Sequence, residues 1–444
     1  MSNSITNELL ASFESIDNDL EVRKARRAVT KNGLVNSSID ELKVRENIDV
    51  FSINVPCGEI TNQRHSGRCW MFAGLNVIRT ILFDKLGVKN IELSQAYLQF
   101  YDKLEKANFF LTEAMKRLDT PLDDQEVIFL LNSAIGDGGH WAMFTNLVNK
   151  YGVVPSAAMP DNAVNSDTTE LNTYLSKILD GDYKKLRSLK NNSKAELEDE
   201  KEKMLKEIYR VLVISLGVPP KSFEFEYEDK DGNYKKIGKT TPKEFFSKYV
   251  EEDLGDWIAL ANAPLEGYKP YTKYVAPLVN NVVGGEPVTF INVEIEEIKN
   301  ALIASLKDKR VCWFAAEVSL DSLRKDGYLV KDIYNLDELT GIDTSSLNKG
   351  EKLDYRYAYC SHAMTFTGVN LDDNGKPNRY KLENTWGTEN GKKGFYVMDD
   401  AWFNEYVYQV IVNSKYIKPE VLEKIKAAET VEVKPFNTLW NRID

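Results

Sequence analysis

The sequence predicts an α+β fold that carries a large, mainly helical insertion. Apolar residues at helical spacing dominate residues 51–160, whereas short β-rich segments dominate residues 286–430. Residues 161–285 differ from both, and from 184 to 210 they are dense in charges of both signs. With 444 residues, 43% of them hydrophobic, the chain can bury a substantial core.

The first part of the chain is predicted to be helical. Residues 1–50 form an N-terminal helical arm, and residues 51–160 form a helical lobe. The central helix of that lobe begins at Cys69 and ends before Gly87; because it is apolar on most sides, it should be buried. The other elements expected here are a strand at 51–55, helices near 92–118 and 124–134, and, after a turn at 136–141, a helix to Tyr151.

The rest of the chain divides into three predicted parts. Residues 161–285 are a mainly helical insertion with one hairpin at 223–233 and a loop-rich return that is punctuated by prolines. Residues 286–430 are a β-rich lobe, and residues 431–444 are a C-terminal arm. The strands expected in the β-rich lobe are at 288–293, 311–318, 358–369, 380–384 and 394–398, with helices near 295–307 and 419–428.

Composition excludes several classes of function. The net charge of −11 and the pI near 5.2 argue against a general binder of nucleic acids or anionic membranes. The sequence has no secretory signal pattern and no apolar run as long as a membrane span. Its four cysteines form no CxxC pair and no zinc-site spacing. We therefore expect a soluble cytoplasmic protein without a metal, an organic cofactor, or a membrane or nucleic-acid partner.

One cysteine stands where a reactive thiol is expected. Cys69 opens the long apolar helix, with Gln63 six residues before it and Trp70 directly after it. A thiol with the ordinary pKa of about 8.5 becomes a good nucleophile when it ionises, and a helix N-terminus favours the negative charge. A lone buried cysteine is more often a small apolar core residue, so the assignment depends on its partners.

Two residues far along the chain could complete a catalytic group with Cys69. His362 lies in a β-rich run that faces a turn at 372–375, and a hairpin centred near residue 373 would place it opposite Asn384. The Asn384 carbonyl could then fix the imidazole tautomer and aim the other ring nitrogen at sulfur. His362 would act first as a base and then as an acid.

Further side chains fit supporting roles. Trp386 could shield the histidine–asparagine bond from water, and the Gln63 amide, with the N–H of Cys69, could donate to a developing oxyanion. Gly138 and Gly139 leave two interpretations open. They form either a tight turn before a helix or a backbone that a peptide substrate can approach closely.

Three other residues have ordinary structural interpretations. His65 could be a loop contact beside the nucleophile. His140 is expected to cap a turn or line a cleft and not to titrate in catalysis. Cys360 should pack beneath the sheet, because its spacing to His362 does not suit a metal site.

These motifs resemble those of the papain-like cysteine peptidases, and more closely those of their intracellular branch, the bleomycin hydrolase and aminopeptidase C family, which includes bacterial aminopeptidase E and G types. In the papain-type signature, the His and Asn partners follow the cysteine by about 130–150 residues. Here they follow Cys69 by 293 and 315 residues, which indicates a large insertion. The matching segments are Asn62-Gln63, Ser66 to Ala73, Asp137-Gly138-Gly139, Lys150 to Pro155, Ser361 to Thr367 and Glu383 to Gly387.

The resemblance implies a papain-like, two-lobed cysteine peptidase with its active site in the cleft between a helical half and a β-barrel-like half. It implies peptide substrates, a homohexamer built by the insertion, and a C-terminal arm that enters the chain's own cleft. There the terminal carboxylate would select substrates with a free amine. The residues that it assigns are Cys69, His362, Asn384 and Gln63 to catalysis, and Gly138, Gly139, Trp386 and Asp444 to substrate binding.

Two features depart from the family pattern. Ser66 stands where secreted members have a disulfide cysteine, which fits a reducing compartment. The chain continues after Trp440 with Asn-Arg-Ile-Asp, whereas the family has small residues after Trp-Asp-Pro. We therefore expect an aminopeptidase with some internal cleavage. One alternative is a predominantly oligopeptide-directed endopeptidase; a remoter one is a non-catalytic, for example nucleic-acid-binding, protein on the same scaffold.

Overall fold

The computed structural model of the chain describes residues 4–436 and 438–440, and it confirms the α+β class. Its helices are α1 (Asn7–Phe13), α2 (Leu20–Asn32), α3 (Glu41–Glu46), α4 (Cys69–Leu86), α5 (Gln95–Met115), α6 (Gln125–Ser133), α7 (Trp141–Tyr151), α8 (Ala163–Ser166), α9 (Thr169–Ser188), α10 (Lys194–Leu216), α11 (Pro242–Phe245), α12 (Ile295–Lys307), α13 (Leu336–Thr340), α14 (Lys349–Asp354), α15 (Asp400–Tyr406) and α16 (Pro419–Lys426). Its strands are β1 (Ile53–Asn54), β2 (Phe223–Glu228), β3 (Tyr234–Thr240), β4 (Trp257–Ala261), β5 (Thr272–Ala276), β6 (Val288–Asn292), β7 (Cys312–Ala316), β8 (Ser322–Leu323), β9 (Tyr328–Leu329), β10 (His362–Leu371), β11 (Pro377–Glu383), β12 (Phe395–Asp399), β13 (Val407–Asn413) and β14 (Thr430–Glu432).

Twelve of the described strands form one sheet. Its order is β14-β5-β6-β4-β13-β7-β10-β11-β12-β9-β8, with β1 beside β10. Strand β10 pairs antiparallel with both β7 and β11, and α4 and α12 contact it. Its residues are buried from His362 to Val369, so the start of this strand is a rigid place for a functional side chain.

Helix α4 is the predicted central helix, and it is buried through most of its length. The Trp70 carbonyl accepts a hydrogen bond from Nε1 of Trp313 in β7 at 3.1 Å. Arg79 forms a buried ion pair with Glu383 at the end of β11. Gly87 ends the helix in a left-handed conformation with φ 59°, which glycine adopts without strain. These contacts join the nucleophile helix to the sheet.

Residues 161–285 contain more sheet than the sequence predicted. Helices α9 and α10 pack on α5, and β2 and β3 form the predicted hairpin. The return was expected to be loop-rich, but it contains β4 and β5, which join the twelve-stranded sheet beside β13, β6 and β14. Pro264, Pro270 and Pro277 suggested a loop, yet they lie just outside these two strands, where a missing N–H interrupts no ladder.

The N-terminal arm leaves many apolar side chains uncovered. Helices α1 to α3 form as predicted, and the strand expected at 51–55 shortens to β1, which pairs with β10. Within the described part of the chain, no helix is both long and apolar enough to cross a bilayer. The exposed apolar residues at the start of the arm are Ile5, Leu9, Leu10, Phe13, Ile16 and Leu20.

Candidate active site

The sulfur of Cys69 lies at the N-terminus of α4 and against the start of β10. Cys69 is the first residue of the helix and is fully buried. Its Sγ accepts a hydrogen bond from the backbone N–H of Ala363 at 3.4 Å. Both the helix dipole and this N–H favour a negative charge on sulfur, so the surroundings suit a thiolate.

His362 and Asn384 come together as predicted. Nε2 of His362 lies 2.8 Å from Oδ1 of Asn384, and an amide oxygen can only accept, so Nε2 carries a proton. The role of exchanging a proton with the thiol therefore falls to Nδ1. The Trp386 ring lies against the imidazole with centroids 4.5 Å apart, and its shielding of the hydrogen bond stays a prediction. His362 directly precedes Ala363, whose N–H reaches the sulfur, so Cys69 and this pair belong to one site.

The register of the hairpin differs from the prediction. The turn spans residues 372–376, and Thr365 faces Glu383, so His362 is not directly opposite Asn384. The two side chains meet diagonally instead, which strand neighbours two positions apart can do. The turn is centred at residue 374, one residue later than predicted, which by itself moves the pairing by two positions. The bulges between Phe366 and Gly368 and between Asn370 and Leu371 shift the pairing in opposite directions and cancel.

Gln63 is held in place by a residue whose role the sequence did not reveal. Its Nε2 donates to the carbonyl of Ser66 at 2.7 Å, and its Oε1 accepts from the Thr385 hydroxyl at 2.5 Å. Because an amide nitrogen has two hydrogens, the second can still serve an oxyanion. The hydroxyl fixes which side of the amide carries the nitrogen. Thr385 stands between Asn384 and Trp386, and this position was the only indication of a role.

A cleft of about 900 Å³ adjoins this group. Gly138 and Trp386 both line it with His362, whereas Gly139 is buried beneath its edge. A Cβ on Gly139 would lie 2.6 Å from the Trp70 ring, which explains the glycine there by close packing. Gly138 therefore faces the space where a substrate would lie.

The C-terminal segment reaches the same cleft. Pro435 and Phe436 line it, and the Phe436 carbonyl accepts a hydrogen bond from Arg356 at 3.3 Å. Trp440 is fully buried, and its ring stacks on Phe290 with centroids 4.6 Å apart. Asp444, which was expected to bind the substrate amine, lies outside the described residues.

The other candidate residues lie outside the group formed by Cys69, His362 and Asn384. His65 is exposed, and its backbone N–H bonds the Ser166 carbonyl at 2.9 Å, as expected of a loop contact. His140 occupies the N-cap position of α7, but its side chain makes no capping bond. Cys360 is buried under the sheet, and burial raises the pKa of its thiol. Among the described residues, no cluster of three or more His, Cys, Asp or Glu side chains could hold a metal ion.

The chain matches the model of the Peptidase C1-like family over residues 4–439. It is 39% identical over 430 residues to aminopeptidase C of Streptococcus thermophilus, with 96% of each chain covered. It is 40% identical over 441 residues to aminopeptidase G of Lactobacillus delbrueckii subsp. lactis, covering 99% of this chain and 100% of that relative. Among solved structures, PepW from Lactobacillus rhamnosis HN001 has a TM-score of 0.95 and 38% identity, with 99% of each chain covered.

Proposed function

The chain belongs to the Peptidase C1-like family and is a papain-like cysteine peptidase, and we propose that it hydrolyses short peptides, mainly from the N-terminus, through an acyl-enzyme on Cys69. The observation that carries the mechanism is the His362–Asn384 hydrogen bond of 2.8 Å beside a sulfur at a helix start. The preference for N-terminal residues is supported by relatives named aminopeptidase C and aminopeptidase G.

The proposed reaction has two halves. The Cys69 thiolate attacks the scissile carbonyl carbon, and the oxyanion accepts hydrogen bonds from the Gln63 side chain and the Cys69 N–H. His362 then gives its Nδ1 proton to the leaving amine, which departs and leaves a thioester. In the second half, His362 takes a proton from water, the hydroxide attacks the thioester, and the acid product leaves as Cys69 is restored. Asn384 keeps the imidazole in the required tautomer throughout.

The mode of cleavage is proposed to depend on the C-terminal arm. Pro435 and Phe436 at the cleft support an arm whose end lies near the bound substrate. A carboxylate at that end would pair with a free α-amine and favour removal of N-terminal residues. Arg442 is bulkier than the family's small tail residues, so the end of the arm would lie further out of the cleft and leave room for longer peptides; we therefore propose some internal cleavage as well.

We also propose that the protein acts in the cytoplasm as a homo-oligomer, a hexamer. Ser66 in place of a cysteine and four cysteines without a disulfide support a reducing compartment. The uncovered apolar side chains on α1 and on the segment after it support burial against another copy of the chain. Light scattering at micromolar concentration should give about six times 50.6 kDa; a monomer would contradict the proposal.

The proposed activity is tested by digesting one peptide with a free N-terminus and its acetylated twin, and mapping the products by mass spectrometry. Stepwise loss of residues from the free peptide, with slower internal cuts in both, is expected. Equal internal cleavage of both peptides would favour the endopeptidase alternative. Cys69→Ala should cleave neither peptide, and an active Cys69→Ala protein would exclude a thiol mechanism.

A further inference from the structure

The loop of residues 136–139 is held from inside the helical lobe by one buried ammonium group. Lys106 Nζ donates to the carbonyl oxygen of Gly136 at 2.7 Å and to that of Gly138 at 2.8 Å. The carbonyl oxygen of Asp137 lies 3.3 Å from the same nitrogen. Three consecutive carbonyl oxygens thus point to one cation. The Asp137 oxygen also accepts a shorter hydrogen bond, at 2.8 Å, from Nε1 of Trp70, so the lysine matters chiefly for the oxygens of Gly136 and Gly138.

The charge on Lys106 is compensated locally. Asp102, one turn earlier in α5, forms an ion pair with it at 2.7 Å, and both side chains are almost fully buried. Asp102 also accepts a hydrogen bond from Asn281 at 3.0 Å. A buried ion pair costs more than an apolar pair of the same volume unless it has further hydrogen bonds. Here the additional bonds are the one from Asn281 to the carboxylate and those from the ammonium group to the loop, so the loop supplies the further partners of the lysine.

The bond to Gly138 sets the direction of the next peptide group. In a trans peptide the C=O and the N–H point in opposite directions. Because the Gly138 carbonyl is turned toward Lys106, the N–H of Gly139 points to the other side of the loop. Gly138 lines the cleft, and Gly139 rests against the Trp70 ring, so the loop cannot rotate freely between these two supports.

We propose that Lys106 is a positioning residue for substrate binding, which turns the Gly138–Gly139 peptide unit so that its N–H can donate to a backbone carbonyl of the bound peptide. The inference rests on the proposed peptidase function and deepens it. Lys106 touches neither the substrate nor the reacting atoms. It therefore governs affinity for a peptide backbone, while the reactivity of the Cys69 thiol does not depend on it.

The test is the double substitution Asp102→Asn with Lys106→Met, which releases the loop without leaving a buried charge unpaired. We expect KM for a tripeptide to rise about tenfold, the loss of roughly one hydrogen bond, with kcat changed less than about twofold. Alkylation of Cys69 by iodoacetamide, which has no peptide backbone, should keep the wild-type rate. The matched control is Lys299→Met with Asp400→Asn, an ion pair at 2.8 Å in the other lobe with a buried lysine and a partly exposed carboxylate, which should leave KM unchanged.

The same change is then measured without catalysis. In a Cys69→Ala background, calorimetry with an uncleaved tripeptide should show Kd weakened about tenfold by the double substitution. If the wild-type protein cleaves no peptide but Kd still depends on Lys106, the proposed function fails and this inference stands. If cleavage is normal while KM and Kd are unaffected in folded protein, the inference is wrong.

A milder variant covers the case of a folding defect. Lys106→Gln keeps an amide donor that can reach one of the carbonyl oxygens, and we expect KM to rise about threefold. If neither this variant nor the double variant folds, Lys106 is a scaffold residue and the positioning role is excluded. Melting curves that match those of the control pair establish that the variants are folded.

Discussion

The two walls of the cleft hold their working groups by different interactions. On the helical wall, the loop at 136–139 and the segment before Cys69 are fixed by buried charges. Asp137 accepts hydrogen bonds from Lys103 at 2.6 Å, from the N–H of Gly67 at 3.0 Å and from other neighbours. On the β-rich wall, His362 and its partners are fixed by neutral amide and hydroxyl hydrogen bonds on adjacent strands.

The difference follows from the backbone beneath each wall. Strands β10 and β11 satisfy their own peptide groups through the sheet, so His362 and Asn384 at the ends of these strands are held by a neutral hydrogen bond. The loop at 136–139 is irregular, and its carbonyl oxygens need donors from elsewhere. Buried lysines supply them, and their charges require carboxylates such as Asp102 and Asp137. The buried Arg79–Glu383 pair then joins the two walls.

The largest expected effect is on the β-rich wall, where His362 would transfer the proton. His362→Ala should lower kcat by about 10³-fold or more, because the base and acid are both lost. Asn384→Ala should lower kcat by about 10- to 100-fold, because the imidazole is still present but no longer held in one tautomer. Steady-state kinetics on folded variants measures both. If Asn384→Ala were the more damaging change, the assigned roles would have to be exchanged.

The buried charges of the helical wall should contribute more to the free energy of unfolding than the hydrogen bonds of the β-rich wall. Asp137→Asn breaks the ion pair with fully buried Lys103 and should cost about 3–5 kcal/mol of unfolding free energy. The matched change on the β-rich wall, Thr385→Val, removes one hydroxyl donor and should lower the free energy of unfolding by about 1 kcal/mol. Urea unfolding of both variants compares the walls directly. Equal costs would mean that the charges contribute no more than ordinary hydrogen bonds.

The cost of Asp137→Asn should also depend on pH. Burial alone would raise the pKa of the Asp137 carboxyl, but Lys103 and the hydrogen bonds from Thr168 and Asn172 hold that pKa well below its usual range. A depressed folded-state pKa gives stability that is fully present above the unfolded value of about 3.9 and is lost as pH falls through the folded-state pKa. The stability difference between wild type and variant should therefore be constant from about pH 5 to 7 and shrink below about pH 4.

The sequence located the candidate catalytic residues better than it located their supports. Cys69, His362 and Asn384 could be proposed because a thiol mechanism needs those residue types in recognisable surroundings. Strand β13 was not predicted, because its run from Val407 to Val412 is buried throughout and has no alternation to mark a strand.

The support of the helical wall could not be inferred from sequence either. Lys103 and Lys106 read as ordinary charged residues of a helix, since only the fold brings the loop of 136–139 to them. The predicted register of the His362 hairpin was wrong because the turn is centred at residue 374, one residue later than its sequence indicated. Contacts between residues that are distant in the chain are therefore what the sequence alone could not predict.

Thiol labelling compares the nucleophile with the cysteines that lie away from the cleft. Cys69 lies at a helix start, whereas burial raises the pKa of the Cys312 thiol to about 12 and also raises that of Cys360. Burial and nearby Glu383 likewise raise the pKa of the Cys57 thiol. Iodoacetamide at pH 7 should therefore label Cys69 at least about 100-fold faster than the other three cysteines. Peptide mass mapping at successive times measures the four labelling rates. Equal labelling of all four would remove the basis for a selected nucleophile.

The smallest expected effect concerns the arm at the edge of the cleft. Because Trp440 is fully buried against Phe290, removing it would disturb the fold as well as the cleft. The informative truncation is therefore residues 441–444, which leaves that anchor in place. It removes the Asp444 side chain and moves the terminal carboxylate four residues back, to Trp440, so selection for a free amine should weaken and internal cleavage of an acetylated peptide should rise about three- to tenfold. Asp444→Asn is the control, since it keeps the terminal carboxylate and should shift the ratio less. A truncated enzyme that still requires a free N-terminus and removes one residue at a time would mean that the selecting charge lies on the cleft walls, not on the arm.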